Sequence, residues 1–230
     1  PSMLHPDRLF PADPATRDVA RNLYAQVKDL PIVSPHGHTD PRWFAYDEPF
    51  ADPATLFVVP DHYVFRMLMS QGVRLEDLGV PRRDGGPVET DGRKIWRIFC
   101  ENWKLFRGTP SRTWLSHAFE TLFGITEAPS AANADRLYDT IDAALKTPAF
   151  RPRALFERMN IEVIATTESP LDDLRHHAAI RASGWKGRVL TAYRPDPVVD
   201  PEARGFLDNL EAFAALADAD IGTWSGYLAA

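Results

Sequence analysis

The chain has 230 residues, 44% of them apolar and 25% charged, an ordinary globular composition with enough length for one large domain or two small ones. Its net charge of −6, with both signs interspersed, argues against nucleic acid as the main partner and still permits a local basic pocket for an acidic small molecule. The single cysteine, Cys100, excludes an internal disulfide, and no apolar run approaches the ~20 residues of a membrane span. A reducing compartment and the absence of a basic-then-apolar leader pattern make the cytoplasm the expected location.

Taken in chain order, Asp13-Pro14 starts a helix that runs to about Lys28 and is expected to bury Val19, Leu23 and Val27 on one face. The apolar run Leu30–Ser34 reads as a first strand and closes at Pro35-His36-Gly37-His38. From Pro41 to about Asn160 the pattern is helical, with helices over 61–71, 91–106, 111–123, 134–146 and 151–159. Cys100, among Ile98, Phe99 and Trp103, reads as a buried hydrophobe. Ile161–Thr167 is rich in β-branched residues and reads as a buried strand, followed by a helix over 171–183 that Gly184 ends. A strand over 187–193 and a helix over 201–217 complete a strand–helix alternation typical of a parallel sheet. The last eight residues read as the start of a further element.

Side chains two apart on a strand point the same way, so His36 and His38 leave the first strand together, as half of a divalent-metal site. Two solvated histidines in a polar loop is the plain alternative. Asp61 caps a helix that carries His62 and Tyr63 in its first turn, where they can exchange protons or bind hydroxyls; alternatively the tyrosine packs inward. Arg194, after the strand that ends at Tyr193, can hold a carboxylate, or can pair with Asp196 or Glu202. Glu168, at the mouth of the sheet, is a weaker candidate. Asp172 and Asp173 read as helix caps near Pro170, and His176 and His177 as exposed or partly packed helix residues. Phe106–Trp114 reads as a turn into a capped helix, with its arginines and aromatics as supports.

Ser34–Asp40, Asp61-His62-Tyr63 with Arg66, Phe106–Ser111, Phe150–Pro152, Ala165–Leu174 and Tyr193–Asp196 together resemble the uronate isomerase (glucuronate isomerase) family of the amidohydrolase superfamily. The resemblance implies an α/β fold: the N-terminal part of a distorted (β/α) TIM-type barrel with a helical insertion after strand one. Residues 1–40 would be the first barrel unit, 41–160 the insertion and 161–230 later strand–helix units. It further implies isomerisation of D-glucuronate to D-fructuronate and of D-galacturonate to D-tagaturonate. His36 and His38 match metal ligands for a divalent ion, usually zinc. His62 and Tyr63 match active-site residues, and Arg194 a substrate-binding arginine. The partner implied is a small hexuronate, with no nucleic acid and no membrane, and a homo-oligomer is compatible with it.

Two departures accompany the match. The family often has aspartate where Glu168 stands, and its members run to about twice this length. The remaining metal ligand and further substrate contacts are therefore expected beyond Ala230, and this stretch alone is expected to be inactive. Two other readings stay open from the sequence. One is a metal-dependent hydrolase of the same superfamily; the other is a non-catalytic half-barrel whose open edge and apolar face associate with a partner.

Overall fold

Among the described residues, four helices begin at a capping side chain followed directly by proline: Asp13-Pro14, Asp40-Pro41, Asp52-Pro53 and Thr109-Pro110. Proline brings a fixed φ and lacks an N–H that would go unbonded there, while the cap oxygen takes one of the free amides. The computed structural model describes residues 2–230. In chain order the elements are α1 (Pro14–Val27), β1 (Ile32–Ser34), α2 (Pro41–Tyr46), α3 (Pro53–Phe57), α4 (His62–Met69), α5 (Gly92–Glu101), α6 (Pro110–Phe123), α7 (Ala134–Leu145) and α8 (Pro152–Arg158). They continue with β2 (Ile161–Glu168), α9 (Arg175–Ala182), β3 (Arg188–Tyr193), α10 (Asp196–Val199), α11 (Phe206–Ala217) and α12 (Trp224–Ala229). The result is an α/β chain with one small parallel sheet, ordered β1-β2-β3, and many helices. Among the described residues no helix is long and apolar enough to cross a membrane.

The chain forms two compact units. One joins the residues up to Asp29 to Pro49–Arg151; the other joins Leu30–Glu48 to Pro152–Ala230. These bounds differ from the sequence divisions at 40 and 160, because α1 groups with the helical segment and α2 with the strands.

The helical unit is built on aromatic rings. Phe99 is fully buried, with its ring 5.1 Å from Trp96, 5.5 Å from Trp103 and 5.7 Å from Phe106. Trp96 settles its buried N–H by donating to the Ala134 carbonyl at the start of α7, at 3.0 Å. Arg93 and Arg97 of α5 reach Asp135 of α7, and Arg93 also reaches Asp139. Cys100 is buried beside this core, and burial pushes its thiol up to about 12, which makes it the inert hydrophobe expected.

The strand-bearing unit packs Phe44 of α2 and Phe156 of α8 with Ile164 of β2 and Ile180 of α9. Trp185 stacks on Phe44 with ring centroids 5.9 Å apart. Arg153 donates to the carbonyls of Phe44 and Ala45, at 2.8 and 3.1 Å, groups that the short helix α2 leaves unpaired at its C-terminal end.

Several expectations need correction. The α1 face of Val19, Leu23 and Val27 is 60%, 62% and 53% exposed. Periodicity marks the face that seeks cover, but no described element covers it. The segment after β2 becomes helical at Arg175, not 171: Ser169, Asp172 and Asp173 bond the amides of Leu171, Leu174 and Arg175, and Leu174 is left-handed at φ 55°. Such local side-chain bonds offer the backbone an alternative to the helix. The same competition, from Asp200 to the Glu202 amide, with Gly205 at φ 80°, delays α11 to Phe206. The helix begun at Gly92 stops at Glu101 and resumes as a 3-10 turn over Trp103–Phe106, where Asn102 turns its amide onto the Ile98 carbonyl. Phe99→Ala is expected to lower unfolding free energy by about 3–5 kcal/mol, read from chemical denaturation, because it empties the centre of the aromatic cluster.

Candidate active site

β1 pairs with β2 only as far as Ser34↔Ile164, and Pro35 has no N–H with which to extend the ladder. The backbone beyond is released, and His36 and His38 stand exposed at the strand end. Their Nε2 atoms lie 3.2 Å apart, with the rings edge-on at 85°. As a hydrogen bond, this needs one Nε2 protonated and the other accepting; the same two nitrogens can instead face one cation. Two imidazole nitrogens at about 2.0–2.1 Å from zinc in a tetrahedral shell are separated by about 3.3 Å, so the observed spacing fits. Among the described residues no group of three His, Cys, Asp or Glu gathers to hold a metal, so the pair is a partial ligand set.

Beside the pair, the Thr167 hydroxyl of β2 donates to the Gly37 carbonyl at 2.9 Å. Asp40 caps α2 through the Arg42 amide and chelates the Arg42 guanidinium. Burial works to raise the Asp40 carboxyl, but the hydrogen bonds and charge of Arg42 outweigh it and hold the group below the usual carboxylate range.

β2 alternates strictly after Val163. Ile164, Thr166 and Glu168 are buried, while Ala165 and Thr167 face the other way. The buried face meets α9, where His177 is 2% exposed, a correction to its reading as an exposed or partly packed residue. The Thr166 hydroxyl lies 3.2 Å from the Leu190 carbonyl and 2.9 Å from His177 Nε2, within hydrogen-bond distance of both. Glu168, 8% exposed, has Oε1 3.7 Å from the same nitrogen, and its Oε2 has no partner among the described residues. Glu168 thus lies on the face that carries the α9 contacts, the face opposite Thr167. His176 meets Tyr46 instead, 3.1 Å from its hydroxyl.

Arg194 follows β3 directly. Its amide donates to the Glu168 carbonyl at 3.1 Å, extending the β2–β3 pairing by one bond, and its Nε meets Asp196 at 3.1 Å. The Arg194 guanidinium pairs with Asp196 and not with Glu202. Both side chains are more than half exposed, so the pair is worth about 0–1 kcal/mol and opens readily to another carboxylate.

His62 and Tyr63 belong to the helical unit. Asp61 accepts from the Tyr63 amide at 2.8 Å and the Val64 amide at 3.3 Å, as the capping pattern requires. Val64 and Leu68, four apart, are fully buried, which turns His62, Tyr63 and Arg66 outward. Tyr63 is 60% exposed and does not pack inward; its ring lies 4.2 Å from that of His62. In the same unit Thr109 caps α6 through the Arg112 amide, and Arg112 lies 5.0 Å over the Trp103 ring, the supporting role read from the sequence.

The structure therefore brings His36 and His38 together and sets Arg194 at the corresponding end of another strand of the same sheet. The sequence pattern alone does not mark Thr167 or the buried Thr166–His177 contact as functional groups. Strand alternation, which sends adjacent threonines to opposite faces, was the available signal.

The glucuronate isomerase family model matches residues 14–230. The uronate isomerase of Rhizobium meliloti is 64% identical over 226 residues, which cover 98% of this chain and 48% of that protein. The crystal structure of glucuronate isomerase from Caulobacter crescentus matches with a TM-score of 0.92 at 58% identity, over 98% of this chain and 47% of that one. The crystal structure of uronate isomerase from Thermotoga maritima matches with a TM-score of 0.80 at 26% identity, over 92% and 45%. The chain spans about half the length of the relatives it matches. Removing the cap that presents the two outward rings, by Asp61→Ala, is expected to cost about 1 kcal/mol of stability in urea denaturation, with most of it restored by Asp61→Asn.

Proposed function

Because this chain belongs to the glucuronate isomerase family, we propose that the protein isomerises hexuronates, D-glucuronate to D-fructuronate and D-galacturonate to D-tagaturonate. The observation that carries this reading is the 3.2 Å approach of His36 and His38 at the end of one strand, with Arg194 following another in the same sheet. We read the three parallel strands as part of a distorted (β/α) barrel of the amidohydrolase superfamily, in which strand C-terminal ends form the site. The helical segment between β1 and β2 is then the insertion after strand one.

Moving a carbonyl from C1 to C2 of an open-chain uronate requires removal of the C2 proton, an enediol held for its lifetime, and return of a proton to C1. Arg194 takes the substrate carboxylate through its paired N–H groups in exchange for Asp196. His36 and His38 would hold a divalent ion, which we assign as zinc; when bound it supplies Lewis-acid polarisation of a substrate oxygen. His62 hydrogen-bonds substrate hydroxyls, and the Tyr63 hydroxyl oxygen carries a proton. These two roles rest on the family match and on the outward presentation of both rings.

The full-length protein is expected to turn over a uronate in D2O with deuterium at C1 of the product fructuronate or C2 of recovered glucuronate. Label in neither position would mean that the C2 hydrogen reaches C1 without exchanging with solvent, as a hydride or as a shielded proton, and would count against open proton transfer. Turnover of model esters or lactones with none of either uronate would reassign the site to hydrolysis. Arg194→Met is expected to reduce kcat/KM by roughly 10- to 100-fold, mostly through KM, since it removes a charge-assisted contact present in both ground and transition states.

A further inference from the structure

Gly37 separates the two imidazoles, and glycine has the widest φ/ψ freedom of any residue. A Cβ placed on Gly37 would meet the Ala165 carbonyl oxygen at 3.6 Å, an ordinary contact, so close packing does not hold this residue still. Nor does the sheet: regular pairing with β2 has ended at Ser34, three residues earlier. What reaches Gly37 from β2 is the Thr167 hydroxyl, donating to the glycine carbonyl at 2.9 Å.

The donor is itself well anchored. Thr167 is in register with Ala192 of β3, so its Cα is fixed by the ladder on that side. Being β-branched, it has few χ1 choices with which to swing the hydroxyl away. Its neighbour Thr166 points to the opposite face and is engaged with His177 and Leu190. The acceptor matters as much. A carbonyl lies in one rigid plane with the next Cα, so holding the Gly37 oxygen holds the peptide that carries His38.

We propose that Thr167 is a positioning residue for the candidate metal pair: its hydroxyl holds the Gly37 carbonyl, and with it the peptide plane that sets His36 and His38 at their 3.2 Å spacing. This rests on the reading of His36 and His38 as metal ligands. Without the hydroxyl, Gly37 regains its torsional freedom, and the two nitrogens must be gathered each time an ion binds. The consequence is weaker metal affinity with the ligands themselves untouched.

The test uses the full-length protein, stripped of metal with a chelator and titrated with Zn2+ against a chromogenic competitor. Thr167→Val, which keeps the shape and loses the hydroxyl, is expected to weaken zinc binding by about 10- to 100-fold, while Thr167→Ser stays within about threefold of the parent. Thr167→Ala serves the same purpose should the valine variant fail to fold. Thr166→Val is expected to lower the melting temperature and leave zinc affinity in place. An equal loss of affinity in Thr166→Val would mean general loosening of β2 and would overturn the proposal. So would unchanged affinity in Thr167→Val alongside a loss in His36→Ala and His38→Ala. Unchanged affinity in both histidine variants would end the metal reading, and this proposal with it.

Discussion

β2 is hydrogen-bonded along both edges, and the strand-bearing unit is organised around that double pairing. Because both pairings are parallel, the three strands end at the same edge of the sheet, and whatever follows β1 and β3 emerges there. His36 and His38 leave β1 at that edge, and Arg194 leaves β3. β2 outruns β1, so Thr167 remains to bond Gly37, while on the other edge the Glu168 carbonyl continues the β3 ladder by accepting the Arg194 amide. A one-residue slip of β2 would exchange Thr166 and Thr167 between faces and undo both arrangements together.

Polar groups in this unit divide by burial. Thr166 and His177 are buried and bonded to each other across β2 and α9, which ties the helix layer to the sheet in a low-dielectric setting where such bonds are strong. Glu168 shares that face. His36, His38 and Arg194 are exposed, with contacts that a ligand can replace at small cost. Availability follows from exposure, and the buried groups supply the frame.

The helical unit works by the same division. Its aromatic core, centred on Phe99, holds the helices, while side-chain caps at Asp52, Asp61, Asp91 and Thr109 settle the amides that each helix start leaves open. Asp61 has a second consequence. By setting where α4 begins, it decides that Val64 and Leu68 turn inward and that His62 and Tyr63 turn out.

Local chemistry made much of this legible in the residues. Asp-Pro and Thr-Pro pairs mark helix starts, the β-branched run Ile161–Thr167 marks the central strand, and the apolar run closing at Pro35 marks where β1 ends and His36 and His38 emerge. Those outcomes depend on groups a few residues apart, whose geometry is nearly independent of the rest of the chain. Burial is different, because it depends on what arrives from far along the sequence. The periodic face of α1 is real yet uncovered, His177 is enclosed because β2 packs against its helix, and Glu168 falls on the buried face of its strand. The Thr167–Gly37 bond joins residues 130 positions apart, and no local pattern announces it. Local sequence sets the helix caps, and strand alternation sets which face each β2 side chain takes. Which of them are enclosed and which stay exposed is set by tertiary contacts, since burial in each unit depends on residues brought together from distant parts of the chain.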